Sequence, residues 1–431
     1  MKYLKLLLGL SLMFSLVSCD EGGGENPPEV NATPVGIIPN AEFQTIAGFG
    51  GADGIFNGIS PSAGDVSRAF GTGADDLGMT IFRIKVPYDP ADWPGLLGAA
   101  QEVMKYPDVK IIASPWSPPP ALKSNGNPVG GRLLSENYQA FVDHLNEYLA
   151  FMQSNGVDIY AISIQNEPDI QVSYESCDWT ENEILNFVRD YGDQVNTRLM
   201  AAESFNFNQN YTNPILADAE AVNNFDIVAG HIYGGGLSDY PLAEEKGKEI
   251  WMTEYLMNLN TGNPGAPAWT TYTDEQIWNE SLNMLSSINE AMSNNWNAYI
   301  WWYLKRYYSF LGDGTQNTSS GEILKRGVAF SHFSKFIRPG YVRIDLQASE
   351  PTSLEMTAYK GDNRIVVIAI NRNSQGVPNI ALSVDGATIS SATAYTSSLA
   401  LDRNMQELEV VDESAIVSFT RSSVTTIVLD L

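Results

Sequence analysis

Between about residues 43 and 305 the chain switches repeatedly between two hydrophobic periods. Short runs rich in β-branched and aromatic residues occur at 43–51, 80–87, 110–118, 159–168, 198–206, 226–234, 250–256 and 298–305. Longer stretches with apolar residues every three or four positions lie between most of them. Phe141, Leu145, Leu149 and Met152 fall on one face of such a stretch at 135–155. Another, at 180–197, opens with Thr180 and Glu183 at the capping-box spacing. Strand-length runs alternating with helical stretches predict repeated βαβ units on a parallel sheet. Eight of them predict an α/β fold of the (β/α)8, or TIM-barrel, type spanning residues 39–337.

After about residue 338 the helical period stops, and short alternating strands follow, as at 364–371, 415–420 and 424–429. They predict a β-sandwich side module, antiparallel, over 338–431, which residues 35–46 are expected to join from the other end of the chain. Upstream, residues 19–38 are rich in Gly, Pro, Asn and Glu without apolar periodicity and are expected to be a flexible tether. Residues 1–18 open with Lys2 and Lys5 and continue in an apolar run at 6–17, too short for a permanent membrane span and expected to be an export signal.

Charge narrows the range of partners. The 431 residues hold 51 acidic and 25 basic side chains, a net charge of −26, and no basic cluster follows the leader. Nucleic acid is therefore excluded as a partner. An acidic ligand group would need a local cation at a distance shorter than the screening length of roughly 8 Å. The two cysteines are Cys19 and Cys177. Leu16-Val17-Ser18-Cys19 resembles the bacterial lipoprotein box, which implies an exported lipoprotein held at the outer membrane or cell surface through a lipid on Cys19. Cys177 is then left without an intrachain partner, so the core must supply stability. A monomer is expected.

In such a barrel the chemistry sits at the C-terminal ends of the strands. Those ends read Gln165-Asn166-Glu167-Pro168, His231-Ile232-Tyr233, Thr253-Glu254-Tyr255 and Trp301-Trp302-Tyr303. Carboxylates closing the fourth and seventh strands would face each other roughly 5 Å apart, the spacing of retaining glycosidases. Glu167 is expected to be the acid/base and Glu254 the nucleophile. Asn166 is placed to hydrogen-bond a sugar 2-hydroxyl, and His231 and Tyr233 to orient or tune Glu254. Trp116, among prolines after the third strand, and Trp302 are expected to stack on sugar rings, whereas Trp301 is expected in the core. Gly48-Phe49-Gly50-Gly51 lacks dinucleotide-fingerprint spacing. The histidines His144, His231 and His332 are scattered, so no metal or other cofactor is expected, and His144 is read as a structural residue of a helix.

The Gln-Asn-Glu-Pro and Trp-Met-Thr-Glu stretches together resemble clan A glycosidases, specifically glycoside hydrolase family 30. Residues 161–169, 332–345 and 358–363 are similar to its bacterial glucuronoxylanase subgroup. The resemblance implies a barrel with a side β-structure built from both termini and endo-cleavage of β-1,4-xylan at a position set by a glucuronate branch. It also implies that Arg306 holds the branch carboxylate with Tyr308 beside it and Trp302 nearby. A guanidinium can grip a uronate bidentately; pairing of Arg306 with Asp313 is the structural alternative. The subgroup's tyrosine two places after the nucleophile is Leu256 here, with Tyr255 one place off. Other readings are a family member that cuts xylan or a β-glucan without the uronate, and a surface glycan-binding lipoprotein.

Overall fold

The computed structural model describes residues 32–56, 58–257, 267–348 and 352–431. The expected signal, Cys19 and most of the expected tether lie outside the described residues, as do residues 258–266 after the seventh strand.

The barrel closes from Gly48–Ala52, Ile81–Val86, Lys110–Pro115, Ile159–Ser163, Arg198–Ser204, Ile227–His231, Glu249–Glu254 and Ala298–Trp301. All neighbours are parallel, and the first strand pairs with the eighth from Gly48 opposite Ala298. Seven of the expected runs contain or nearly contain one barrel strand. The exception is 43–51, which merges the end of a side-sheet strand, Thr33–Thr45, with the start of the first barrel strand. Hydrophobicity alone does not show that the chain changes sheets there.

Inside the barrel, alternation sorts side chains into tiers. Ile81, Ile112, Ala161, Ala229 and Trp251 belong to an apolar tier. Two residues on along each strand come Arg83, Ser114, Ser163, His231 and Thr253, all buried. The fifth strand takes three steps to reach the polar tier, from Met200 to Glu203, because its register with the sixth strand shifts between Ala202 and Ser204. Glu203 has a φ of 51°. A floor of oil-like side chains thus lies beneath a layer of buried polar ones, which opens to the cleft.

Helices clad the outside. Tyr138–Ser154 buries Phe141, Leu145 and Met152, each worth roughly 1.5–3 kcal/mol of transfer free energy. Glu181–Tyr191 has both hydrogen bonds of the capping box at Thr180 and Glu183 and ends sooner than the expected 197, in the turn Gly192–Gln194. Among the described residues no helix is long and apolar enough to cross a membrane.

The side module is a ten-stranded sheet. Thr33–Thr45 lies within it, antiparallel to Val342–Ala348 and parallel to Val377–Val384. Two expectations need correction. The tether, expected to run to residue 38, has given way to strand by Thr33, because Val35 and Ile37 are buried in the sheet's core. The sheet also holds one parallel pair, because an incoming terminal strand is free of the hairpin constraint that makes neighbours antiparallel. Barrel and sheet are bolted together by His332, whose ring nitrogens lie 2.8 Å from Thr426 Oγ1 and 2.8 Å from Ser397 Oγ. Burial lowers the His332 pKa to about 3, so a neutral ring serves two hydroxyls.

Candidate active site

The fourth strand leads through Ile164-Gln165-Asn166 to Glu167, whose φ of 47° turns its side chain over the barrel mouth. The seventh strand ends on Glu254. The two glutamates are 5% and 6% exposed, and one oxygen of each lies within 4.8 Å of the other and of a His231 ring nitrogen. Carboxyl groups of retaining glycosidases stand about 5–5.5 Å apart, whereas inverting enzymes leave about 6.5–9.5 Å for a water.

The two carboxylates have different surroundings. Arg83 Nη1 donates to Glu254 Oε2 at 2.5 Å, and the Tyr233 hydroxyl donates to Oε1 at 2.8 Å. Glu167 Oε1 lies 2.9 Å from His231 Nδ1, and the Tyr174 hydroxyl reaches Oε2 at 3.3 Å. The other arm of Arg83 donates to Asn166 Oδ1 at 2.7 Å, which fixes the amide and leaves its NH2 for a ligand. Glu203 accepts from Arg83 Nη2 at 3.3 Å and stands 3.8 Å from His231 Nε2.

Burial raises the Glu254 carboxyl above its ordinary range, against the pull of His231 and Arg83. For His231, burial works downward but is outweighed by Glu254, Glu167 and Glu203, which lift it to about 9. Burial would raise Glu203, yet Arg83 and His231 bring it down to about 2. Burial pushes the Tyr233 hydroxyl well up, so it stays a donor. Glu167, His231 and Glu254 have the side-chain types of a metal site. A ligating histidine must be neutral, however, and Arg83 already occupies Glu254, so the residues do not fit a divalent cation.

The aromatic residues divide differently from expectation. Trp116 is 2% exposed. Phe56 meets its ring at right angles, Trp302 tilts against it, and Arg83 sits 4.8 Å from its centre. Trp116 thus packs against the arginine, largely covered by its neighbours. The open rings are Phe56 at 44% and Tyr174 at 40% exposure, 5.6 Å apart, with Trp302 half-buried beside them. Trp301 is fully buried, and His144 packs between Trp93 and Phe141.

Past the eighth strand, Arg306 Nη1 pairs with Asp313 Oδ2 at 3.2 Å while its side chain stays 30% exposed. Arg306 also hydrogen-bonds Tyr308. The Asp313 partner foreseen as a structural alternative is therefore present, and it takes up one arm of the guanidinium. Tyr255 turns inward against Tyr233 and Trp301, and Leu256 packs on the core, so neither replaces the missing tyrosine. Arg326 ties the neighbouring loops together, donating to the carbonyls of Met257 and Tyr308 at 3.0 and 2.7 Å.

Arg83, Glu203, Phe56 and Tyr174 were not singled out from the sequence. Arg83 carried a signal: an arginine at an inward position of Ile81–Val86 must be paired, because an unpaired buried charge is too costly. Glu203 carried less, since the register shift hides its phase. Phe56 and Tyr174 lie on loops, where periodicity says nothing.

A closed parallel barrel with two buried carboxylates facing each other from the ends of its fourth and seventh strands defines a glycoside hydrolase. The chain matches the Glycosyl hydrolase family 30 TIM-barrel domain over residues 69–306 and belongs to that family. It is 37% identical over 383 residues to glucuronoxylanase XynC of Bacillus subtilis (strain 168), covering 86% of each chain. Among solved structures it is similar to a GH30 endoxylanase from Clostridium papyrosolvens C71, with 31% identity, a TM-score of 0.79, and coverage of 93% of this chain and 100% of that one. It is also similar to the subfamily 8 xylanase Xyn30A of Clostridium acetobutylicum, with 28% identity, a TM-score of 0.80, and coverage of 92% and 100%.

Proposed function

We propose that this glycoside hydrolase is a retaining endo-β-1,4-xylanase that cuts glucuronoxylan, with Glu167 as acid/base and Glu254 as nucleophile. The observation that carries this reading is the pair itself: two buried carboxylates whose oxygens lie within 4.8 Å, one gripped by Arg83 and the other set against His231. The substrate class follows from the glucuronoxylanase and xylanase relatives.

Glu167 gives its proton to the glycosidic oxygen as Glu254 attacks the anomeric carbon. The bond to the leaving chain breaks, and a covalent glycosyl-enzyme forms. Glu167, now ionised, takes a proton from water, which attacks the same carbon and releases Glu254. Two inversions give net retention. Arg83 and the Tyr233 hydroxyl favour the ionised nucleophile, and the free NH2 of Asn166 suits a 2-hydroxyl whose hydrogen bond strengthens in the transition state.

The uronate is assigned to Arg306 and Tyr308. Arg306 keeps donors beyond its contact with Asp313, and its side chain stays 30% exposed. A charged contact of about 1.5–3 kcal/mol corresponds to roughly 10- to 150-fold in kcat/KM. Arg306→Ala is expected to lose that factor on glucuronoxylan and little on unbranched xylan. NMR of the first products reads the anomer in the same samples. Unchanged activity of the variant on glucuronoxylan would remove the uronate site, and an inverted first anomer would remove the double displacement.

Export and acylation at Cys19 are part of the same proposal and rest on Leu16-Val17-Ser18-Cys19. Cys19→Ala should move the protein from the membrane to the soluble fraction; unchanged fractionation would count against the anchor.

A further inference from the structure

Five ionisable side chains meet at the base of the cleft: Arg83 from the second strand, Glu167 after the fourth, Glu203 from the fifth, His231 from the sixth and Glu254 from the seventh. Four of them have evident work at the reacting atoms or beside them. Glu203 does not. It is fully buried in the polar tier, in contact with Arg83, His231 and Thr253, with no surface open to a substrate.

We propose that Glu203 is a positioning residue that keeps His231 protonated and aimed at Glu167, so that Glu167 can release its proton beside a fixed cation. The inference deepens the assignment of Glu167 as the acid/base and rests on it.

The geometry sets the imidazole between two carboxylates. Nδ1 lies 2.9 Å from Glu167 Oε1, and Nε2 lies 3.8 Å from Glu203 Oε1. Nδ1 is within hydrogen-bonding distance of Glu167 and Nε2 within ion-pairing distance of Glu203, so an imidazolium meets a carboxyl oxygen on either side. Charge balance agrees. With Arg83 and His231 positive and Glu203 and Glu254 negative, the cluster is neutral while Glu167 holds its proton, and it gains one negative charge when that proton leaves. His231 is the cation nearest that new charge.

Two hydroxyls and one further carboxyl also face the cluster. The Tyr174 and Tyr233 hydroxyls donate to Glu167 and Glu254. Asp169, behind Glu167, accepts from the Phe205 N–H at 2.9 Å. The folded-state pKa of His231, about 9, is consistent with the arrangement. Without Glu203 the ring would lose an anionic neighbour. It would then release its proton at lower pH, leaving Glu167 to ionise beside a neutral ring.

The test combines a titration with a choice of leaving group. In the wild-type protein, NMR of the three histidines should show one imidazole protonated up to pH near 9, identified as His231 by its loss in His231→Gln. In Glu203→Gln that titration should fall by about one pH unit or more, the effect of an opposite charge within about 4–6 Å. The variant should lose about tenfold or more of kcat/KM on xylan, within the range of general acid catalysis, with its alkaline limb moved to lower pH. A dinitrophenyl xylobioside, whose leaving group needs no proton, should be cleaved nearly as fast as by wild type, and Glu203→Asp should recover much of the xylan activity.

A wild-type His231 titrating near 6.5, the ordinary histidine value, overturns the proposal. So does an equal loss on both substrates at every pH, which is the mark of a merely structural residue. If Glu203→Gln does not fold, the wild-type titration and Glu203→Asp decide. Wild-type protein that cleaves neither substrate would instead refute the xylanase reading.

Discussion

The barrel mouth and the side sheet are both well buried, yet they are built on opposite principles. The side sheet packs Val35, Ile37, Val367, Leu382 and Ile427 into an apolar core, where each side chain contributes by leaving water. The barrel mouth buries Arg83, Glu203, His231 and Glu254, groups whose removal from water costs several kcal/mol each and which persist only by pairing. A fold assembled for stability alone would continue the apolar tier of Ile112 and Trp251 upward. The polar tier is therefore where structure has been given over to chemistry, while the sheet braces the barrel through contacts such as that of Trp278 Nε1 with Ser422 O, 2.8 Å long.

Arg83→Met breaks the contrast most sharply. It strips the counter-charge from Glu254 and Glu203 together, and is expected to cost about 3–5 kcal/mol of stability and most of the xylanase activity. Denaturant unfolding and kcat measured on the same preparation check both; a stable, active variant would mean that the mouth does not depend on charge pairing.

Ile427→Ala probes the other region. A cavity in the side sheet is expected to cost about 2–5 kcal/mol while leaving kcat/KM unchanged well below the melting temperature. A large fall in kcat/KM would show that the sheet shapes the cleft and does more than support it.

The smallest effect is pH dependence. His231 has a folded-state pKa of about 9, above its value of about 6.5 in an unfolded chain. Its contribution is therefore complete below pH about 6.5 and lost as pH rises through about 9. Stability should fall across that window, and the fall should vanish in His231→Gln. Glu203, lowered to about 2, works in the opposite sense, its contribution present above pH about 4.5 and lost toward pH 2.

The barrel was legible in the sequence because eight apolar runs separated by amphipathic stretches admit few other parallel folds, and Glu167 and Glu254 were legible because they end two of those runs. The covering of Trp116 was not, since it depends on which loops fold over the ring, and Phe56 comes from a different loop altogether. Arg306 was legible only through family resemblance; its partial engagement with Asp313 depends on how the loop after the eighth strand folds back.

Sequence by itself determined the order of strands and helices and which carboxylates close the fourth and seventh strands, because hydrophobic period and strand ends are local properties of the chain. Only the tertiary structure decided that Arg83 and Glu203 are gathered with Glu167 and Glu254. It also decided that His231 sits between two carboxylates. Those are relations between residues 64 to 171 positions apart, as in His231 with Glu167 and Arg83 with Glu254, and they arise from barrel closure and from a register shift in one strand, which no local pattern encodes.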